Sequence, residues 1–167
     1  MEQWNAYTKT GELTDTVLVR GNPIPQGLYH LVCEVLVQHV DGSFLCMKRH
    51  HTKKDYPGYF EVTAGGSALL GETPLQCIRR ELHEETGISC EDYKQIAYHV
   101  FEDSQCLFCS FLCVIDWDKD NVKLQPGETE GYKWLTEKQF IEFIHSNQMI
   151  DTQKKRYKNY FLEKGYL

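Results

Sequence analysis

Apolar residues dominate the stretch from Tyr29 to Val40, which is rich in Val and Leu. The turn pair Asp41-Gly42 follows, and then a second apolar run from Ser43 to Arg49. Two such runs around Asp-Gly predict a hairpin. Ahead of it, Asp15 to Arg20 is a short extended segment that leads into the proline-bearing loop Gly21-Asn-Pro-Ile-Pro-Gln-Gly27. Beyond it, His50 to Gly58 is polar and basic and predicts a loop. Tyr59 to Thr63 predicts a short strand ending at Gly65-Gly66, and later strands are expected over Lys94–Phe101, Cys106–Asp116 and Tyr132–Leu135.

Three helices are punctuated among these runs. Thr73 is a good N-cap, Pro74 suits the first helical position, Gln76 completes a capping box, and Gly87 supplies the stop. Thr136 with Gln139 caps a second helix to about Ser146, and Asp151 opens a third that runs to Gly165. Strands with helices packed on them, without regular β-α alternation, predict an α+β fold with a mixed β-sheet sandwiched between helices. No repeat, linker or low-complexity tract divides the chain. One domain is therefore expected over 1–167, with a short N-terminal extension over about 1–27.

Charge narrows the partners. The 167 residues carry 18 basic and 24 acidic side chains, a formal charge of -6 with no basic block, which argues against a nucleic-acid partner. Met1 to Asn5 has neither a basic nor an apolar leader region, and the most apolar run, Leu31 to Val40, is short and holds Glu34 and His39. These features predict a cytoplasmic chain with no membrane association. The seven cysteines are an odd count set in apolar runs, which predicts reduced thiols. Cys106, Cys109 and Cys113 share a strand-like run in which free cysteine packs as a small hydrophobe rather than as a metal ligand.

The first helix concentrates the chemistry. At roughly 100° per residue, with Glu81 set at about 0°, Glu85 lies near +40°, Glu84 near -60° and Arg80 near -100°. Leu75, Ile78 and Leu82 fall between about +60° and +120° and predict the core-facing stripe, while Gln76, Arg79 and His83 point to solvent. Glu72 adds a fourth carboxylate just before the N-cap. Carboxylates at helical neighbour spacing repel one another, so the array is either a solvated acidic face or a site for hard divalent cations, which prefer oxygen ligands.

The order of these residues decides between the two. Gly66, five residues, Glu72, seven residues and then Arg80-Glu-Leu-His-Glu-Glu-Thr-Gly-Ile88 fill every position of the Nudix box. A chance match is on the order of 10⁻⁸ to 10⁻⁷ for a chain of this size. The chain resembles the Nudix (MutT-type) hydrolase superfamily. Leu45 to Arg49, Pro57 to Gly66 and Lys133-Trp134-Leu135 look like the surrounding domain, and Trp4 through Val32 looks like the isopentenyl-diphosphate-isomerase-like subgroup.

That resemblance implies a Mg²⁺-dependent enzyme, with Mn²⁺ as a substitute, that cleaves a phosphoanhydride bond in a small-molecule nucleoside diphosphate derivative. It also implies a Nudix fold, and small proteins of this type are frequently homodimers, although the sequence leaves the oligomeric state open. Glu81, Glu84 and Glu85 resemble the metal-binding and base-supplying carboxylates, with Glu81 the leading candidate for the base, and the main-chain carbonyl of Gly65 resembles an added ligand. Arg80 resembles the arginine that orients the glutamates, and Glu72 a more distant or water-mediated ligand. Arg49 is a candidate phosphate contact. Glu128 and Glu130 lie near the loop from which many members draw a further glutamate, and Gly131 stands at one position expected to be acidic.

Two rivals are weighed. An isopentenyl-diphosphate isomerase needs a cysteine where this chain reads Val62-Thr-Ala-Gly65 and a Trp-Gly-Glu segment that it lacks. A non-catalytic nucleotide sensor tolerates an eroded box, whereas this box is intact.

Overall fold

The structure is a computed structural model that describes residues 1–167. Its centre is β3 (His30–His39), whose side chains alternate between two cores. On one edge β3 runs parallel to β8 (Cys106–Ile115), in register from His30↔Cys106 to His39↔Ile115, and β7 (Lys94–Phe101) adds antiparallel beyond it. On the other edge β6 (Thr63–Ser67) pairs antiparallel, from Val32↔Ser67 to Leu36↔Thr63. The strand β4 (Phe44–Arg49) takes β5 (Phe60–Glu61) and β9 (Thr129–Leu135) as its neighbours.

The Asp41-Gly42 turn forms, but β3 and β4 share only the pair Gln38↔Phe44 beside it. The expected hairpin therefore holds at its tip and then opens, because β6 occupies the edge of β3 that β4 would have taken. The expected strand over Tyr59–Thr63 likewise divides at Val62 into β5 and β6, and the second piece runs through both glycines instead of ending at them.

Helices cover both faces. α1 (Pro74–Thr86) packs Cys77, Ile78 and Leu82 on one face, against Cys33, Val35, Val37, Leu45, Met47, Leu107 and Cys109. α2 (Glu137–His145) and α3 (Asp151–Glu163) cover the other face, where Phe140, Phe143, Ile144, Tyr157 and Phe161 meet Leu36, Phe44, Cys46 and Val62. Each fully buried Leu, Ile or Phe in these layers stabilises the fold by about 1.5–3 kcal/mol relative to exposure. The α+β sandwich follows from this two-sided alternation. All seven cysteines are free, and Cys106, Cys109 and Cys113 are buried along β8 as expected. No helix is long and apolar enough to cross a membrane.

The N-terminal residues do more than extend the chain. β1 (Gln3–Tyr7), which the sequence pattern did not predict, pairs with β2 (Leu13–Val19) as a separate ribbon. Trp4, Ala6 and Leu18 give the ribbon its own small core. It docks through the Tyr7↔Tyr29 bridge and through the Gln3 carbonyl, which accepts from the Leu70 amide at 2.8 Å.

Candidate active site

Local sequence fixes α1 firmly. Thr73 Oγ1 accepts from the Gln76 amide at 3.3 Å, and Gln76 Oε1 accepts from the Thr73 amide at 2.9 Å, so the capping box closes. At the other end Gly87 adopts φ 71° and donates to the His83 carbonyl, a left-handed stop that glycine takes without steric cost. The buried stripe is Cys77, Ile78, Leu82 and Thr86. The sequence pattern places Leu75 in it, but Leu75 is 43% exposed, whereas Cys77, two residues on, is fully buried and takes its place in the stripe.

With that stripe seated, the carboxylates fall where β6 meets the helix. A Cβ built on Gly66 would lie 2.5 Å from Glu81 Oε1, so the Glu81 carboxylate packs directly on the glycine backbone. Glu85 Oε2 accepts from the Gly65 amide at 3.1 Å. Gly65 itself passes so close to β3 that a Cβ there would stand 2.2 Å from the Cys33 carbonyl. The two glycines therefore serve different neighbours: Gly65 the sheet, Gly66 the carboxylate.

Arg80 ties the group together. Its Nε and Nη2 donate to Glu72 at 2.7 and 2.9 Å, its Nη1 to Glu81 at 2.7 Å and Glu84 at 3.2 Å, and its Nη2 also to the Ser67 carbonyl at 3.2 Å. These hydrogen-bonded carboxylates hold its pKa above the ordinary guanidinium value. Both Glu72 oxygens are engaged, by Arg80 and by the Leu69 amide at 2.8 Å, and Arg80 holds this carboxyl below its ordinary value.

Glu81 and Glu85 are pushed the other way. Burial raises Glu81 in spite of Arg80, with Glu84 adding repulsion. Burial also raises Glu85 well above the ordinary value, reinforced by Glu61 and Glu81. One arginine thus faces several crowded carboxylates, two of which are disfavoured as anions. An added cation would relieve that imbalance, and all-oxygen donors suit a hard divalent ion. The donor set fits Mg²⁺ or Mn²⁺.

Glu81, Glu84, Glu85 and Arg80 line a cavity of about 330 Å³ together with Gly65, Gly66, Lys53, Gln125 and Glu128. Glu128 stands on its wall, ion-paired to Lys53. Glu130 does not join them. It bonds Lys48 at 2.7 Å and His51 at 2.9 Å outside this cavity. Arg49 is also held apart: Nε donates to the Asp55 carbonyl at 2.9 Å, Nη1 pairs with Glu61, and the side chain lines an adjoining cavity.

Four participants were not among the sequence candidates. Glu61 and Lys53 border the glutamates, and Glu2 and Arg20 reach the cavity rim from the N-terminal ribbon, paired at 2.9 Å. Glu61 follows an aromatic residue in a two-residue strand, and nothing local marks it as special. The ribbon residues approach only through the fold.

Comparison with known proteins agrees with this geometry. The NUDIX domain family model matches residues 28–159. An uncharacterised Nudix hydrolase of Listeria monocytogenes is 30% identical over 164 residues, covering 90% of this chain and 95% of its own. The uncharacterised Nudix hydrolase YfcD of Escherichia coli is 33% identical over 113 residues, covering 66% and 61%. Among solved structures, DR0079 from Deinococcus radiodurans superposes with a TM-score of 0.70 at 19% identity, over 88% of this chain and 91% of its own. The NUDIX domain of Shewanella oneidensis NrtR, complexed with ADP ribose, superposes with a TM-score of 0.62 at 12% identity, over 84% and 94%. These structures share the fold. With the family model spanning most of its length and a 30%-identical relative matching almost end to end, the chain belongs to the Nudix hydrolases and is a pyrophosphohydrolase.

Proposed function

We propose that this enzyme cleaves a phosphoanhydride bond in a nucleoside-diphosphate-linked small molecule, with Mg²⁺ as its cofactor and Mn²⁺ as a substitute. The observation that carries the proposal is the convergence of Glu81, Glu84 and Glu85 on one cavity, with Arg80 bonded to only the first two and two carboxyls raised by burial. Glu81, Glu84, Glu85 and the Gly65 carbonyl would hold the ion. A bound divalent cation supplies charge neutralisation at the diphosphate and a more acidic water.

The chain's own groups supply the rest. Arg80 fixes the rotamers of Glu81 and Glu84, and pre-positioned groups lower the entropic part of the barrier. Glu81, packed against the Gly66 backbone and facing the cavity, is the leading candidate for proton acceptor from the attacking water. Lys53 and Arg20 place positive charge on the cavity wall and rim, where phosphate oxygens would need it. The NrtR domain, whose structure contains ADP ribose, supports a nucleotide-derived substrate. The charge of -6 supports a small molecule rather than a nucleic acid.

The test is phosphate release, with a coupling phosphatase, across nucleoside diphosphates, nucleoside triphosphates, dinucleoside polyphosphates and nucleotide sugars. It is run with Mg²⁺ and then with chelator. Metal-dependent turnover of one class is expected. Tight nucleotide binding without turnover across the panel would instead indicate a sensor.

A further inference from the structure

A second cluster of metal-ligating side chains lies outside the glutamate cavity. His50 and His51 follow directly on β4, and Glu130 belongs to β9, the neighbour of that strand. One nitrogen of each imidazole and one oxygen of the carboxylate all lie within 4.8 Å of one another.

The sheet itself makes this juxtaposition. Along β4 and β9, Lys48 pairs with Gly131 and Arg49 with Thr129, so Glu130 is the extra residue of a bulge. A bulge leaves its extra residue out of the ladder and re-aims its side chain. The His50 amide donates to the Glu128 carbonyl at 2.9 Å, which keeps the two segments side by side just past the strand. Glu130 Oε2 then accepts from the His51 amide at 3.0 Å and stands 2.9 Å from His51 Nδ1. Its other oxygen is held by Lys48 Nζ at 2.7 Å. On the far side, Thr52 Oγ1 lies 2.7 Å from His50 Nδ1 and fixes that ring, whose centroid is 4.2 Å from the His51 ring. Each of the three side chains is thus oriented by a further contact, as ligands in metal sites are.

Ligand type selects the ion. Imidazole nitrogens suit zinc, copper and nickel, whereas Mg²⁺ takes oxygen donors and keeps its waters. Two imidazoles and a carboxylate supply three ligands and leave the fourth tetrahedral position to water. Zinc bonds of about 2.0–2.1 Å put neighbouring ligand atoms roughly 3.3 Å apart, so His51 Nδ1 and Glu130 Oε2 already stand near chelating distance. As a bare contact the pair does little for the fold, because His51 is 71% exposed and surface pairs contribute about 0–1 kcal/mol. We propose that His50, His51 and Glu130 form a second metal site, for Zn²⁺ or a transition ion of its class, that clips the loop after β4 to β9. The same loop carries Lys53, and Glu128 lies two residues from Glu130, so the clip also fixes two residues on the wall of the glutamate cavity. The Lys48 ammonium beside the carboxylate opposes a second cation and sets the expected affinity at micromolar rather than tighter. This site goes beyond the hydrolase reading and does not depend on it.

The test is metal binding, read apart from turnover. Zn²⁺ is titrated calorimetrically, in an excess of Mg²⁺ that occupies the glutamate cavity, into wild type, His50→Ala, His51→Ala, Glu130→Gln and Glu81→Gln. Wild type and Glu81→Gln are expected to bind a single Zn²⁺ per chain with micromolar affinity. Each of the other three variants should bind about tenfold more weakly or worse, while its zinc-free melt confirms that it is folded. NMR of the wild type should show the ring nitrogens of His50 and His51 shifting as the first equivalent of Zn²⁺ is added, a result that needs no variant. Absence of zinc binding in excess Mg²⁺, ring nitrogens that stay in place, or an affinity unchanged in any of the three ligand variants overturns the site. Zinc binding that is lost in Glu81→Gln and kept in the histidine variants puts the ion at the glutamates and overturns it as well.

Discussion

Gly66→Ala isolates the link between backbone and chemistry. The added Cβ would meet Glu81 Oε1 at 2.5 Å, Cδ at 2.7 Å and Oε2 at 2.8 Å. Ordinary carbon contacts lie near about 3.5 Å, so the carboxylate has to withdraw by about 1 Å. It is the end of a side chain rather than backbone, so the fold gives way there cheaply. The backbone contact is different at Gly65, where a Cβ would strike the Cys33 carbonyl at 2.2 Å and the Glu34 Cα at 2.7 Å. A 1 Å displacement of a catalytic group costs on the order of a hundredfold in rate, or about 2.7 kcal/mol of barrier. Gly66→Ala should therefore lose about two decades of metal-dependent kcat while its melting temperature stays within a few degrees of wild type. Gly65→Ala should lose stability and activity together. The assay is metal-dependent phosphate release paired with a thermal melt of each variant. A Gly66→Ala protein that keeps more than a tenth of wild-type kcat would refute the claim that Glu81 must sit against this backbone.

Three further outcomes follow from the same structure. Saturating Mg²⁺ or Mn²⁺, at about a hundred times its dissociation constant, should stabilise the protein by about 2.7 kcal/mol, roughly 5–10 °C in a thermal melt, and chelator should reverse it. Tyr157→Phe should raise stability by about 1 kcal/mol, read as the urea midpoint, because the Tyr157 hydroxyl is buried with no partner at hydrogen-bonding geometry. The Lys48 and His51 contacts hold Glu130 down at about 2, so NMR titration should find it ionised well below the ordinary carboxylate range. Its folded pKa lies below its unfolded value. The stabilisation is therefore complete above the unfolded pKa and is lost as pH falls towards about 2, and Lys48→Met should move the titration upward.

What the sequence made legible was local. The capping box, the helix stop and the order of the α1 carboxylates depend on neighbours a few residues apart, so they could be placed without a fold. Leu75 shows the limit of that logic: the helical wheel puts it on the core-facing side, yet it is 43% exposed while Cys77 is buried, because which side of the first turn meets the sheet is set by tertiary packing. The split of Tyr59–Ser67 into two strands, and the pairing of Gln3–Tyr7 into a ribbon, depend on partners supplied by tertiary contacts. The choice between Glu128 and Glu130 was equally non-local. The pairing of β4 and β9 shifts between Lys48 and Arg49, and that irregularity sets which glutamate reaches the cavity and which goes to Lys48. Glu34 was visible as a charge inside an apolar strand, but its partner Arg156 is separated from it by 122 positions and has no local signature.

The central claim is that the carboxylates of α1 carry metal-dependent hydrolysis, and paired kinetics test it most directly. Phosphate release from the best substrate of the panel is measured for wild type, Glu81→Gln and Glu84→Gln, each with Mg²⁺ and with chelator, with melts to confirm folding. Turnover that requires Mg²⁺ and falls at least a hundredfold in both folded variants is the predicted result. Turnover that survives the chelator, or that persists in both variants, would contradict it.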